Sequence, residues 1–400
     1  MDIPLTVTVP PRSRAPLISR PALEGLTERI GQSRVTTICG PAGSGKTTAA
    51  IQWFNAFRAA GRPTIWLAVR AGLRDLASFR LALREAGIAV GLPWHGLDPK
   101  GRDDSWLTQL ATQPDQVPVV VIDDAQMLST DVQAFLGQLI ASAREAITLI
   151  IVSRGQVGIP LARTRALGFL VEVEAEDLRL TPSEATQLIA SIAGDAVPAA
   201  ATQQAVLDMD GWAAGLVMAA EGLRSMRNPD LSGTALSGRL AAHVASYFEE
   251  EVLALQPQRM QSFLVETAVF DELVAAACVA VTQDDAAGDT LNDAFRSALF
   301  VRVIDLEAGR YAYHGAFRKA LRDHLVHRSP AKSAELHRRA SLYHSGAGQA
   351  LLAGRALGVD HPGDGRQGGD LGPGMGRGHL ADMSAPASFS CAGNIPAVRR

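Results

Sequence analysis

Lysine is nearly missing from these 400 residues: Lys46, Lys100, Lys319 and Lys332 are all there are, and the other cations are arginines. Cysteine is as scarce. Cys39, Cys278 and Cys391 are too far apart to frame a disulfide scaffold or a metal knuckle, which suits a reducing cytoplasm. Long apolar runs are missing too. Stretches such as LVAAACVAV at 273–281 fall far short of the roughly 20 residues a membrane span needs. The opening MDIPLTVTVPPRSRAP lacks the charged-then-apolar layout of a signal peptide, so the expected location is cytoplasmic and no membrane partner is expected. A net charge of −3 leaves no global positive field to draw the chain onto nucleic acid. Apolar residues at 47% and charged residues at 20% describe an ordinary globular chain, long enough for two to four domains.

Against that shortage of lysine, one lysine stands in GPAGSGKTTAAIQW, residues 40–53. A chance GxxxxGK[ST] is improbable in so lysine-poor a chain. Gly40, Gly43 and Gly45 let backbone N–H groups close around phosphates without Cβ clashes. The loop residues Pro41, Ala42, Ser44 and Thr48 complete the expected nucleotide cradle. Lys46 is placed to reach the outer phosphates, Thr47 to offer its hydroxyl to Mg²⁺, and the following helix to aim its positive end at the anion. The β-branched run SRVTTIC (33–39) before the loop supplies the strand that this motif requires.

Two further apolar strands end in polar residues. VVVIDDAQ (119–126) delivers Asp123 and Asp124 to a strand's carboxyl end, where open α/β sheets bind ligands. Asp123 is the expected Mg²⁺ partner, directly or through water, and Asp124 is placed to orient a hydrolytic water. The bland alternative is a strand ending in an acidic turn. IIVSR (150–154) ends in Arg154, which on the same rim would sense the terminal phosphate, or else be a solvated strand-end arginine. His314, in YAYHGAF, reads on its own as a packed histidine among aromatics. The basic run 318–339 carries Asp323 and Glu335 and few aromatics, so it reads as a solvated helical face.

The pattern of organisation predicts a doubly wound α/β P-loop domain over 18–175, after an N-terminal extension 1–17. Its parallel sheet includes TIWLAV (64–69), ITLIIVS (147–153) and FLVEVE (169–174). A capping box at Thr181, Pro182 and Glu184 opens a helical bundle, 176–232. Helices, a hairpin with its turn at 307–310 and a further helix predict a winged-helix-like domain, 233–329. Another amphipathic helix starts at 330–350. The final fifty residues hold eleven of the 37 glycines and no apolar period, and 351–400 reads as a disordered tail.

With these pieces in order, residues 17–350 resemble the STAND-class, MalT/LuxR-type ATP-binding transcriptional regulators. LISRPAL (17–23) looks like that family's lead-in segment, whose arginine, here Arg20, lies near the nucleotide base. Residues 153–185 carry the most specific likeness, with Arg154 at the nucleotide-sensing position. GWAAGL (211–216) resembles the bundle's glycine–tryptophan–proline motif, with Ala213 standing where the family has proline. YAYHGAF looks like the winged-helix motif whose histidine, here His314, touches bound diphosphate. The resemblance implies a switch that binds ATP or ADP with Mg²⁺, hydrolyses ATP slowly and self-associates in the ATP state. It also implies a sensor domain of helical repeats and a DNA-binding helix-turn-helix; neither is legible in this sequence, so the tail after 351 reads as an out-of-frame or truncated product. Lys46, Asp123, Asp124 and Arg154 are the residues expected to act on ATP. Two rivals stay open: an initiator-like ATPase gripping DNA with its winged helix, and a P-loop kinase whose acceptor loop would be HGLDPKGRDD (95–104).

Overall fold

The computed structural model describes residues 9–12, 15–70, 73–99, 117–143, 146–194, 197–225 and 233–346, with side chains of 225 and 233–239 excepted. The expected tail from 351, and the kinase-type loop beyond residue 99, lie outside the described residues.

Five strands, β1 (Val35–Cys39), β2 (Thr64–Ala68), β3 (Val119–Asp123), β4 (Thr148–Ser153) and β5 (Leu170–Val173), form a sheet in the order β2-β3-β4-β1-β5. Every pairing is parallel. Strands β2, β3 and β4 are buried along their whole length, as apolar strands covered on both faces must be. Helix α1 (Lys46–Ala59) packs Trp53, Phe54 and Phe57 into the core on one face. Helices α2 (Leu76–Ala89) and α3 (Thr130–Ser142) cover the other. The register pairs Cys39 with Ser153 and Ile122 with Ile151. The loops after β1, β4 and β3 therefore leave from one rim of the sheet, side by side.

The chain then turns helical. Helix α4 (Pro182–Ala193) starts at the expected capping box: Glu184 N–H donates to Thr181 Oγ1 at 3.3 Å and Thr181 N–H to Glu184 Oε2 at 2.9 Å. Helices α5 (Ala199–Met209), α6 (Ala213–Ser225) and α7 (Gly233–Phe248) follow, and α7 runs on into a π-helical turn, Glu249–Leu253. Then come α8 (Gln258–Thr267), α9 (Ala275–Thr282), α10 (Ala287–Arg296), the hairpin β6 (Val301–Asp305) and β7 (Arg310–Tyr313), α11 (Gly315–Arg328) and α12 (Pro330–His344). Leu273 exchanges both backbone hydrogen bonds with Tyr311, adding a third piece to the hairpin and completing a winged-helix arrangement. The turn lies at 306–309, one residue earlier than the sequence suggests, because Arg310 already pairs with Asp305.

One apolar cluster runs through the α4–α6 bundle and the winged-helix region without a break. Trp212 is its hinge: it stacks on Phe248 at 4.7 Å and meets Phe300 edge-on at 5.6 Å. Helix α12 buries Leu336 and Ala340 in the same cluster. The basic run over α11 and α12 is locally neutralised, through Lys319–Asp323, Lys332–Glu266 and Arg339–Glu335. Among the described residues no helix is long and apolar enough to cross a membrane.

Candidate functional site: a glycine-lined cradle at the sheet rim

The loop between β1 and α1 turns through two left-handed glycines, Gly43 at φ +70° and Gly45 at φ +91°. Gly45 is the N-cap of α1 and no side chain caps it, so the first-turn N–H groups remain available to an anion. Ser44 Oγ is buried with no hydrogen-bond partner. Lys46 is buried, its Nζ donating to Pro41 O at 2.7 Å. Burial lowers the Lys46 ammonium to about 8; nearby Arg154 pushes the same way, while Cys39, Asp123 and Asp124 oppose it. Arg154 and the acid pair thus lie near enough for their charges to act on Lys46.

Thr47 Oγ1 donates to Asp123 Oδ1 at 3.1 Å. Burial, with the neighbouring Asp124, raises the Asp123 carboxyl to about 6, and bonds from Thr47 and from the Asp124 N–H hold it back. A hydroxyl and a carboxylate side by side are hard oxygen donors suited to Mg²⁺. Asp124 sits in the left-handed region at φ 59°, and its carboxylate accepts from Gln126 Nε2 at 2.9 Å. The Arg154 N–H donates to Gln126 Oε1 at 3.1 Å. The Arg154 guanidinium leaves the sheet domain altogether and donates to Glu251 O, in the π-helical turn, at 3.3 Å. Gly155 lies against the end of α10, where a Cβ would approach Arg296 O at 3.1 Å.

The bundle closes on the cradle from outside. Trp212 Nε1 donates to Ala42 O at 3.1 Å and the Ala214 N–H to Gly43 O at 2.9 Å. A Cβ on Gly43 would lie 2.5 Å from Ala214 Cβ and 2.8 Å from the Tyr247 hydroxyl. Ala213, at the position where the resemblance expects proline, is next to Gly45. Its neighbours Trp212 and Ala214, not a proline ring, carry the contact with the loop.

His314 has both ring nitrogens buried and outside regular hydrogen-bond geometry; burial lowers its pKa and favours the neutral ring, with Asp210 nearby pulling the other way. Trp212, itself bonded to the cradle, is its ring neighbour at 6.3 Å. Arg20 is placed differently from a free base-contacting arginine. Its guanidinium donates to Leu178 O at 3.0 Å, Asp177 O at 3.3 Å and Arg179 O at 2.8 Å, with Glu184 at 3.6 Å. That makes it a buried strut from the lead-in segment to the start of the bundle. Pro41, Ala42 and Thr48 lie in the loop and first turn as the motif requires.

Three participants were not expected from the sequence: Gln126, Tyr247 and the Glu251 carbonyl. Gln126 lies in the quoted VVVIDDAQ, so its proximity to Asp124 was readable. Nothing in the sequence marks Tyr247 or a π turn.

Fold and site together define a P-loop ATPase module of AAA type joined, through helices, to a winged helix. The AAA domain family matches residues 29–157, and the MalT winged helix domain family matches residues 249–333. The chain is 27% identical over 361 residues to the serine/threonine-protein kinase PknK of Mycobacterium tuberculosis, a match covering 84% of this chain and 32% of that protein. It thus spans about a third of the length of the curated relatives it matches. Among solved structures it is similar to the Walker-type ATPase paby2304 of Pyrococcus abyssi, with TM-score 0.54 and 17% identity over 75% of this chain and 94% of that one. It is also similar to the STAND protein with a tetratricopeptide repeat sensor, PH0952, of Pyrococcus horikoshii, with TM-score 0.40 and 16% identity over 83% and 46%. The AAA domain carries the capacity to bind and hydrolyse a nucleoside triphosphate.

Proposed function

We propose that the chain is the nucleotide-dependent switch of a signal-transduction ATPase. One observation carries this reading: Arg154, on the phosphate rim beside Lys46, spends its guanidinium on the Glu251 carbonyl of the winged-helix side. A third phosphate at the rim competes for that guanidinium; a diphosphate leaves it where it is. Only such a difference in contacts between two states lets a ligand shift their population. Diphosphate favours the closed arrangement, in which Trp212 and Ala214 hold the cradle from the bundle. Triphosphate loosens the winged-helix side and exposes surface for self-association.

Within the cradle, Lys46 and the first-turn N–H groups of α1 hold the outer phosphates. The buried Ser44 hydroxyl supplies a polar atom that lacks any other partner, and the buried His314 ring supplies a second polar group. Thr47 and Asp123 would hold Mg²⁺, which when bound neutralises charge on the outer phosphates. Asp124 orients the attacking water, and Arg154 reads the terminal phosphate. Slow hydrolysis returns the molecule to the diphosphate state. Any DNA binding would belong to a further module of a longer protein; the ion-paired basic face of α11 and α12 offers little free positive charge for it.

The test is to identify the nucleotide that co-purifies with the protein, then measure hydrolysis and oligomeric state with ADP and with a slowly hydrolysed ATP analogue. Retained ADP, slow turnover and analogue-driven self-association support the switch. Rapid, effector-independent hydrolysis, or phosphate transferred to an acceptor other than water, overturns it.

A further inference from the structure

We infer that Gln126 is a positioning residue for ATP hydrolysis, one carboxamide setting both the water-orienting acid and the phosphate-reading arginine. The inference rests on the proposed reading of the cradle. The two halves of the amide are separately employed. Nε2 donates to Asp124 Oδ1 at 2.9 Å, and Oε1 accepts the Arg154 N–H at 3.1 Å. The bridge therefore spans the gap between the carboxyl ends of β3 and β4, adjacent strands whose backbone ladder ends below it.

Both clients need that support. Asp124 is in the left-handed region, outside regular pairing, and caps the short 3₁₀ turn Ala125–Met127. Among the described residues, the side-chain bond to its carboxylate is from Gln126. Arg154 follows the last residue of β4, and its guanidinium reaches the opposite way to Glu251 O. Its backbone anchor on the sheet side is Gln126. A neutral carboxamide is the side chain that can do both, because one end must donate to a carboxylate and the other accept from an N–H. Glutamate could keep the second bond and not the first; alanine keeps neither. Near-attack geometry is sensitive at this scale, a displacement of about 1 Å costing on the order of a hundredfold in rate.

The experiment compares the parent, Gln126→Ala and Gln126→Glu by three readouts. These are single-turnover ATP hydrolysis, ADP affinity by calorimetry, and hydrogen exchange at the Arg154 amide in the nucleotide-free protein. Gln126→Ala should slow hydrolysis by about tenfold to a hundredfold, leave ADP affinity within about twofold, and speed exchange at Arg154. Gln126→Glu should keep the Arg154 amide protected and still lose the rate, since its carboxylate cannot donate to Asp124. Parental rates in both variants overturn the inference while leaving the switch reading intact. Gln126→Glu hydrolysing at the parental rate, or a loss of ADP affinity matching the loss of rate, also overturns it. A parent that binds no nucleotide removes the reading beneath it, and is told apart by the calorimetry alone.

Discussion

Lys46 carries a prediction linked to its proton. Its ammonium is held at about 8, down from 10.5, chiefly by burial. Near pH 8, half of the nucleotide-free molecules have lost that proton. A phosphate needs the charged form, so binding above pH 8 must draw a proton from solvent. Phosphates are themselves fully ionised there, with a second pKa of about 6. Affinity for ADP should therefore be level below about pH 7.5 and fall about tenfold per unit above pH 8. At pH 8.5 about three-quarters of a proton should be taken up, read by calorimetry in two buffers of different ionisation enthalpy. The same shift acts on folding. Between pH 8 and 10.5 the unfolded chain binds more protons at this site than the folded one, so stability rises with pH across that window. Full protonation in the folded state costs about 3 kcal/mol. Asp123 has the opposite sign: at about 6 folded against 3.8 ordinarily, its contribution is present at low pH and lost as pH rises from 3.8 through 6. Lys46→Met, which removes the buried charge, should raise the melting temperature of the nucleotide-free protein at pH 7 yet abolish the stabilisation given by ADP. Flat ADP affinity from pH 7 to 9.5, with no buffer-dependent heat, refutes the reasoning.

Other perturbations test the contacts one at a time. Gly43→Ala forces a left-handed residue to carry a Cβ 2.5 Å from Ala214, so the bundle should undock from the cradle; the measure is faster amide exchange in α6, and unchanged exchange there counts against the docking. Arg154→Ala should leave ADP affinity within about threefold while raising self-association with ADP toward the level seen with the ATP analogue, because the closing bond to Glu251 O is gone; light scattering follows it, and a parental difference between ADP and the analogue counts against the reading. His314→Ala should speed release of a fluorescent ADP analogue about tenfold or more, a charge-assisted bond to phosphate being worth about 1.5–3 kcal/mol; unaltered release makes His314 a packing residue only. Trp212→Ala should cost about 3–5 kcal/mol in urea unfolding, the usual range for a buried tryptophan.

The sheet was legible because each strand is a short run dominated by apolar and β-branched residues, and the candidate site residues sit at or just past its end: the glycine loop after Cys39, Asp123 at the end of Val119–Asp123, Arg154 after Ser153. Parallel strands put all those exits on one side, so local pattern sufficed. Arg20 was legible as a motif but not in its surroundings: three carbonyls more than 150 residues away accept from its two terminal nitrogens, and no spacing rule reports that. Tyr247 and Glu251 were illegible for a related reason. They reach the cradle because α7 widens into a π turn and packs Phe248 on Trp212, a consequence of tertiary packing and not of helical periodicity.

The arrangement at the end of β4 also fits the proposed switch better than a fast hydrolase. Ser153, Arg154 and Gly155 face the cradle through Lys46, the acid pair through Gln126, and the winged-helix side through Glu251 and Arg296. A change in what Arg154 holds must therefore be felt on the far side within one residue of backbone, with no long relay between. The single bond to Glu251 O is also weak: at 3.3 Å and exposed to solvent, it contributes less than a well-formed hydrogen bond from a charged group, which is worth about 1.5–3 kcal/mol. A phosphate oxygen can outcompete it, whereas the apolar cluster joining bundle to winged helix cannot be separated at comparable cost. On the proposed reading, the movement that ATP would drive is opening between the sheet domain and the two helical parts together, with Trp212 and Ala214 leaving the cradle as one body, rather than separation of bundle from winged helix.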